Sequence, residues 1–519
     1  MESSLNKRLC KRAVLACSIF ATVAMFHSLA YGHARLIRSQ PAANARLKEV
    51  PKLVELWFSE DLEPTMSTIT VTDQSGKRVD KNNAAAAEGN KKLQIDLEDL
   101  GSGTYTVEWK ALATDQHTMK GKFIFNVAVA EKASNTSTPA QTPKETNAQT
   151  PSPLAQVAES TEESGSTWMM SFARWLQYLA MMSLVGGFAL RLLVLGPALR
   201  ANGGQATVAE KSNALAAGQR RILFLSWASV VLLLISTFIA LVQQAAAVFD
   251  KTIGESLSPS VLSEVLTKTG YGGAWFLQVG TACALVIILL LLALALKRSP
   301  AKEHAALWCT ALLIGIVLLV APSWTGHAAA ALKDFRLAVV TDWLHLVAGA
   351  FWVGSLFHLA LITRPVLREL DKTKRAGALH RIVKLFTRAA IPTVVVLVLA
   401  GLYNTWVHVD SFGELWSTVY GRTLLLKLLL VVLMLVFGGV NNFHFGKKAA
   451  RLSGSQAGEG AAQEHNKLES GFSQSVMLEA ALGVAVLLVT AILAFQTPAR
   501  SRPVMTANQG ESTLVQKRK

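Results

Sequence analysis

The sequence predicts two structural classes in one chain: a small all-β, immunoglobulin-like sandwich followed by an all-α polytopic membrane bundle of eight helices. Three observations carry this. Of 519 residues, 51% are hydrophobic and only 17% charged, with a mean hydropathy of +0.34; an ordinary soluble domain carries roughly 25% charge. Residues 33–129 break into short segments of period-two alternation separated by turn signals, as half-buried strands do. From Trp168 onward, eight apolar stretches follow, each near the roughly 20 residues that span a bilayer.

Residues 1–32 read as a secretory signal. Lys7, Arg8, Lys11 and Arg12 form a basic start, Ala13 to Leu29 is apolar, and Ala30-Tyr31-Gly32 supplies small residues for cleavage. Cutting after Gly32 makes His33 the new N-terminus; the alternatives are an uncleaved anchor or a lipoprotein cut before Cys17. The sandwich occupies 33–129. Its strands are carried by segments such as Val54–Phe58, Thr68–Val71, Tyr105–Trp109 and Lys122–Val127, with turns at Gln74-Ser75-Gly76 and Gly101-Ser102-Gly103. It has no cysteine, so it folds without a disulfide. Residues 130–166 are rich in Thr, Ser, Asn, Gln and Pro and too poor in apolar side chains to order themselves, which predicts a linker reaching about 30–35 Å.

The membrane domain, 167–498, is expected to span near Trp168–Leu195, Ile222–Ala245, Gly273–Leu296, Ala305–Trp324, Leu337–Ile362, Leu385–Val407, Arg422–Phe443 and Ser475–Phe495. With the sandwich outside, the inner loops carry 18 Lys+Arg and the outer loops 4. The positive-inside rule therefore places the sandwich and the C-terminus outside the cytoplasmic membrane. The basic tail, 499–519, runs against that bias. Net charge is +16, but residues 33–129 hold 13 charges of each sign. No folded domain offers the basic face that nucleic acid requires, so the expected partners are a small ligand and the bilayer.

Two constellations carry chemistry. An N-terminal His33 would offer its amine and its imidazole to one metal; with His117 and the Asp115 carboxylate this makes about three nitrogens and one oxygen, a set suited to Cu(II). A processed terminus beside a polar turn is the simpler alternative. In the membrane domain, Asp342 and His345 share a helix face by their i,i+3 spacing, His327 ends the preceding helix on the same side, and His408 and Asp410 end the sixth. Ionisable groups at membrane depth are costly and commonly functional, so this cluster is a candidate for receiving copper, with interfacial polar residues as the alternative. Met170 and Met181 offer thioethers that would suit Cu(I), although packing is the commoner use of methionine. His358 reads as a helix-contact residue. Matching depths pair Glu479 with Asn441 as an inner polar contact, and leave Lys427 with an unidentified partner.

Residues 33–129 resemble the CopC family of periplasmic copper-binding proteins, through His33-Ala34-Arg35-Leu36, Ser39-Gln40-Pro41-Ala42, Phe58-Ser59-Glu60 and the stretch from Tyr105 to Val127. The resemblance implies Cu(II) ligation by His33, Asp115 and His117, with Glu60 beside the copper. Gln116 and Thr118 replace the Gly and Pro usual in that family, and its methionine-rich Cu(I) loop is missing. Residues 168–498 resemble the CopD family of copper-resistance membrane proteins, through Asp342-Trp343-Leu344-His345, Phe351-Trp352-Val353-Gly354, Tyr420 to Lys427, and Glu479. Together they imply a fused copper-binding transport protein, not an enzyme, that moves copper across the membrane, generally inward. Export or sequestration for resistance, a haem-binding electron carrier and a brace-type copper monooxygenase are the competing functions.

Overall fold

A computed structural model of the chain describes residues 36–59, 61–87, 89–114, 118–128, 164–200, 206–300, 302–326, 335–409, 411–453 and 459–496. The expected signal segment, most of the linker and the basic tail lie outside these residues.

Among the described residues, eight strands form the N-terminal domain: β1 (Leu36–Gln40), β2 (Arg46–Leu47), β3 (Leu53–Phe58), β4 (Thr68–Thr72), β5 (Ala85–Ala87), β6 (Lys92–Asp96), β7 (Gly103–Leu112) and β8 (Thr118–Val127). They make two four-stranded sheets, ordered β1-β3-β6-β5 and β2-β8-β7-β4. All pairs are antiparallel except β2 with β8. Alternation decides which side faces in: Val54, Leu56 and Phe58 of β3, Ile69 and Val71 of β4, Val107 and Trp109 of β7 and Phe123 and Phe125 of β8 are all buried between the sheets. Trp109 meets Phe58 edge-on, with ring centres 5.2 Å apart. Its indole also lies across Gly121, its cross-strand partner, where an added Cβ would stand 2.4 Å from the ring. Glycine is therefore required at that position in β8.

Among the described residues, eight helices are long and apolar enough to cross a membrane: α1 (Trp168–Arg200), α2 (Val208–Phe249), α3 (Gly270–Arg298), α4 (Ala305–Trp324), α5 (Arg336–Arg368), α6 (Lys372–His408), α7 (Val419–Leu452) and α8 (Gln463–Leu493). The first is already helical from Ser164, where composition places the last linker residues. Several run well past their apolar stretches. α2 begins fourteen residues before Ile222, because Thr207 and Glu210 form a reciprocal capping box ahead of it. Apolar content locates a span, whereas the cap locates the end of the helix.

α1 and α5 form the centre: 83% and 72% of their apolar windows are buried, against 6% for α6. They cross at glycines. A Cβ on Gly186 would stand 2.1 Å from the Gly354 carbonyl carbon, and one on Gly354 would stand 1.8 Å from the Met182 carbonyl oxygen. Small residues that bring backbones together are a general device for packing helices in lipid. Nearby, the buried His358 bonds through Nε2 to the Ser183 carbonyl (2.9 Å) and lies 3.1 Å from the Ser183 hydroxyl. At the other end of α1, the buried Arg191 donates to Gln219 Oε1 and to the Glu303 carbonyl, each at 3.0 Å. Gln219 in turn accepts from the Trp308 indole at 3.2 Å. That network ties α1, α2 and the start of α4 together. Cys283 and Cys309 are free thiols on exposed faces of α3 and α4.

Candidate functional site

His33, Glu60, Asp115 and His117 lie outside the described residues, but the segments that lead to them converge. Leu36, three residues after His33, pairs with Phe58, two residues before Glu60. Leu112 and Thr118, which flank the segment carrying Asp115 and His117, are partners across β7 and β8. Between the two sheets, Leu62 bridges Ala113, the Thr114 amide donates to the Asp61 carbonyl (2.9 Å), and the Glu63 amide donates to the Leu112 carbonyl (2.7 Å). The chain positions adjoining all four residues thus meet at one end of the sandwich.

In the membrane domain, Asp342 and His345 lie half-buried on α5 and face α6. Asn404 of α6 donates to Asp342 Oδ1 at 3.4 Å. His345 Nδ1 lies 3.1 Å from the Leu397 carbonyl. A carbonyl only accepts, so Nδ1 carries the proton and Nε2 is left as the lone-pair nitrogen able to ligate a metal. Gly401 makes this approach possible, since an added Cβ there would stand 3.3 Å from the imidazole. His408 is oriented in the same way, its Nδ1 lying 2.6 Å from the Asn404 carbonyl. α5 itself is anchored by the Trp343 indole, which donates to the Ile316 carbonyl of α4 at 3.0 Å.

Lys427, whose partner the sequence does not reveal, lies within electrostatic reach of both Asp342 and His345. The cluster therefore includes a lysine as well as the carboxylate and the imidazole. His327 and Asp410 lie outside the described residues. Among the described residues, no three His, Cys, Asp or Glu side chains form a group that could hold a metal ion.

Deeper in the bundle, Asn441 Nδ2 donates to Glu479 Oε2 at 2.7 Å, and Glu479 is only 1% exposed. Asn441 opens a π-helical segment, Asn441–Gly446, within α7. Such segments often mark functional positions in helices. Gly438, one turn earlier, leaves room for the carboxylate; its Cβ would stand 3.2 Å from Glu479 Oε1.

A two-sheet sandwich joined to a polytopic bundle with ionisable groups in its helices describes a membrane protein built around an extramembrane binding module. Comparison with known families specifies the class. Residues 36–128 match the CopC domain, 164–334 the N-terminal domain of copper resistance protein D-like proteins, and 380–493 copper resistance protein D. The chain belongs to the CopC–CopD copper transport and resistance family, carrying both parts in one polypeptide. It is 27% identical to the copper transport protein CutJ of Bacillus subtilis over 89% of this chain and 74% of that one. Its first part is 35% identical to protein YobA of Escherichia coli, over 19% of this chain and 80% of YobA. Among solved structures, CopC from Methylosinus trichosporium OB3b is 32% identical over 20% of this chain and all of that one, with a TM-score of 0.18.

Proposed function

We propose that the sandwich captures Cu(II) outside the cytoplasmic membrane through the His33 amine and imidazole, Asp115 and His117, with Glu60 beside the metal. The bundle then receives copper at His327, Asp342 and His345 and carries it inward. The observation that carries this reading is the joining, in one chain, of a CopC domain to a copper-resistance membrane domain. The donor chemistry agrees with it. Amine, imidazole and carboxylate suit Cu(II), and His345, one turn from Asp342 on the same helix, keeps Nε2 as its lone-pair nitrogen. The loop charge, 18 inner against 4 outer basic residues, supports an outward-facing sandwich. The sequence contains no nucleotide-binding motif, so a gradient or the membrane potential would drive the flux.

Cytoplasmic copper, measured at low external copper in cells producing the intact protein or its His345→Ala variant, tests this. Import predicts a rise with the intact protein that the variant lacks. A fall with the intact protein would reverse the direction to export, and no change in either would remove transport. Separately, His33→Ala is expected to abolish tight Cu(II) binding by the purified protein. Unchanged affinity would remove the capture step.

A further inference from the structure

We propose that the sandwich docks on the bundle through a built polar interface, with Asp250 as its latch. Four sandwich side chains meet three helix ends. Lys110 of β7 donates to Asp250 Oδ2 at 2.8 Å and also to the Val248 carbonyl, and Lys120 of β8 pairs with Asp250 Oδ1. Asp250 immediately follows α2, so both ammonium groups sit where the last carbonyls of that helix lack partners and its dipole is negative. Glu63 has the opposite assignment. Its Oε1 accepts from the Gly270 amide (3.1 Å) at the first residue of α3, where the dipole is positive. Thr65 Oγ1 donates to the carbonyl of Lys268 (3.0 Å), which ends the short helix Pro259–Lys268. Each sandwich group thus supplies the polarity its helix end lacks.

Two features indicate that this contact is built. Lys110 and Lys120 are directly opposite each other in the β7–β8 register. Like charges in that position destabilise a sheet, and here they share one carboxylate from the other domain. Gly270 is the second feature. An added Cβ would stand 2.8 Å from Glu63 Oε1, so the carboxylate packs directly against the glycine and would have to shift for any larger residue.

Near the docked sandwich, where Tyr271 follows Gly270, lies a small pocket of about 30 Å³ that opens to solvent and is lined by Met170, Arg174, Gln177, Gln243, Tyr271 and Thr325, among others. Gln243 precedes the latch by about two turns of α2. Tyr178 lies within electrostatic reach of both Arg174, which lines this pocket, and Asp342. The docking contact stands without the proposed copper function. Its consequence, delivery of copper into this pocket in preference to bulk water, rests on that function.

The test uses the full-length protein in lipid nanodiscs, without copper, treated with a zero-length carbodiimide and mapped by peptide mass spectrometry. Docking predicts an amide link between Asp250 and Lys110 or Lys120, several-fold weaker when salt rises from about 50 to 500 mM. The Lys92–Glu55 pair inside the sandwich (3.0 Å) serves as the control link. Absence of the Asp250 link while the control forms would overturn the proposal. K110E/K120E should lose the link, and K110E/K120E/D250K should restore it with charges exchanged. A triple variant that gives the control link alone would overturn the latch. Failure of copper uptake would leave these links unchanged, so the two readings fail separately.

Discussion

Glu479 and Asn441 show what a single polar contact does at membrane depth. Almost fully buried, the carboxyl depends on the Asn441 amide at 2.7 Å. Removing that donor leaves a buried polar group unpartnered, which costs about 1–3 kcal/mol. Asn441→Ala should therefore lower thermal stability by about that much in detergent, and Asn441→Leu with Glu479→Leu should recover part of it; equal losses in both variants would refute the pairing. The sequence reveals this pair because both residues are rare polar insertions at matching depth. It does not reveal the partner of Lys427. That residue comes within electrostatic reach of Asp342 from another helix, and no periodicity encodes the mutual rotation of the two. Nor does sequence reveal the tautomer of His345, which depends on the Leu397 carbonyl 52 residues away.

For single elements, the central helix pair depends on the absence of side chains. The atoms that a Cβ on Gly354 would strike are backbone and cannot rotate away. Gly354→Val should destabilise the bundle by at least the roughly 1–3 kcal/mol of ordinary overpacking, read as a lower melting temperature or loss of folded protein. Gly439→Ala, on α7 with open space around it, should be tolerated. A melting temperature for Gly354→Val equal to that of Gly439→Ala would remove the close-crossing argument. The number and order of the spans are legible from hydropathy because lipid leaves a long apolar signature. The helical extensions are not, since α2 and α6 continue through polar residues whose helical state is set by caps and packing. Strand positions are legible in the same limited way. Alternation locates β3 and β7, while the two-residue β2 and its parallel pairing to β8 have no periodic signal.

On the scale of the whole molecule, the sandwich–bundle contact is weak by design of its chemistry. The Asp250 side chain is 44% exposed, and exposed ion pairs contribute about 1 kcal/mol or less. Its pH dependence follows from the groups that face it. Partial burial opposes ionisation, but Lys110 and Lys120 outweigh it and hold the Asp250 carboxyl below its ordinary value of 3.8. A depressed carboxylate pKa means that docking is at full strength above that ordinary value and is lost as pH falls through the lower, docked one. Between pH 6 and 8 the yield of the Asp250–lysine link relative to the Lys92–Glu55 control link, which cancels the pH dependence of the coupling reagent, should therefore ignore pH and respond to salt, roughly the reverse of what a histidine switch would do. A ratio that changes several-fold across that pH range would exclude Asp250 as its carboxylate. No feature of composition foretells this contact, because its partners are separated by 130 residues or more along the chain.

The glycine crossing also acts as a bulkhead. Where the α1 and α5 backbones touch, a methyl group has no room, and a space that rejects a methyl group rejects a metal ion with its ligands. The cluster around His345 and the Asn441–Glu479 contact both involve helices beyond α1: α5 and α6 for the first, α7 and α8 for the second. Any ion travelling between those two levels is thus kept out of the seam where the two most deeply buried helices touch at Gly186 and Gly354.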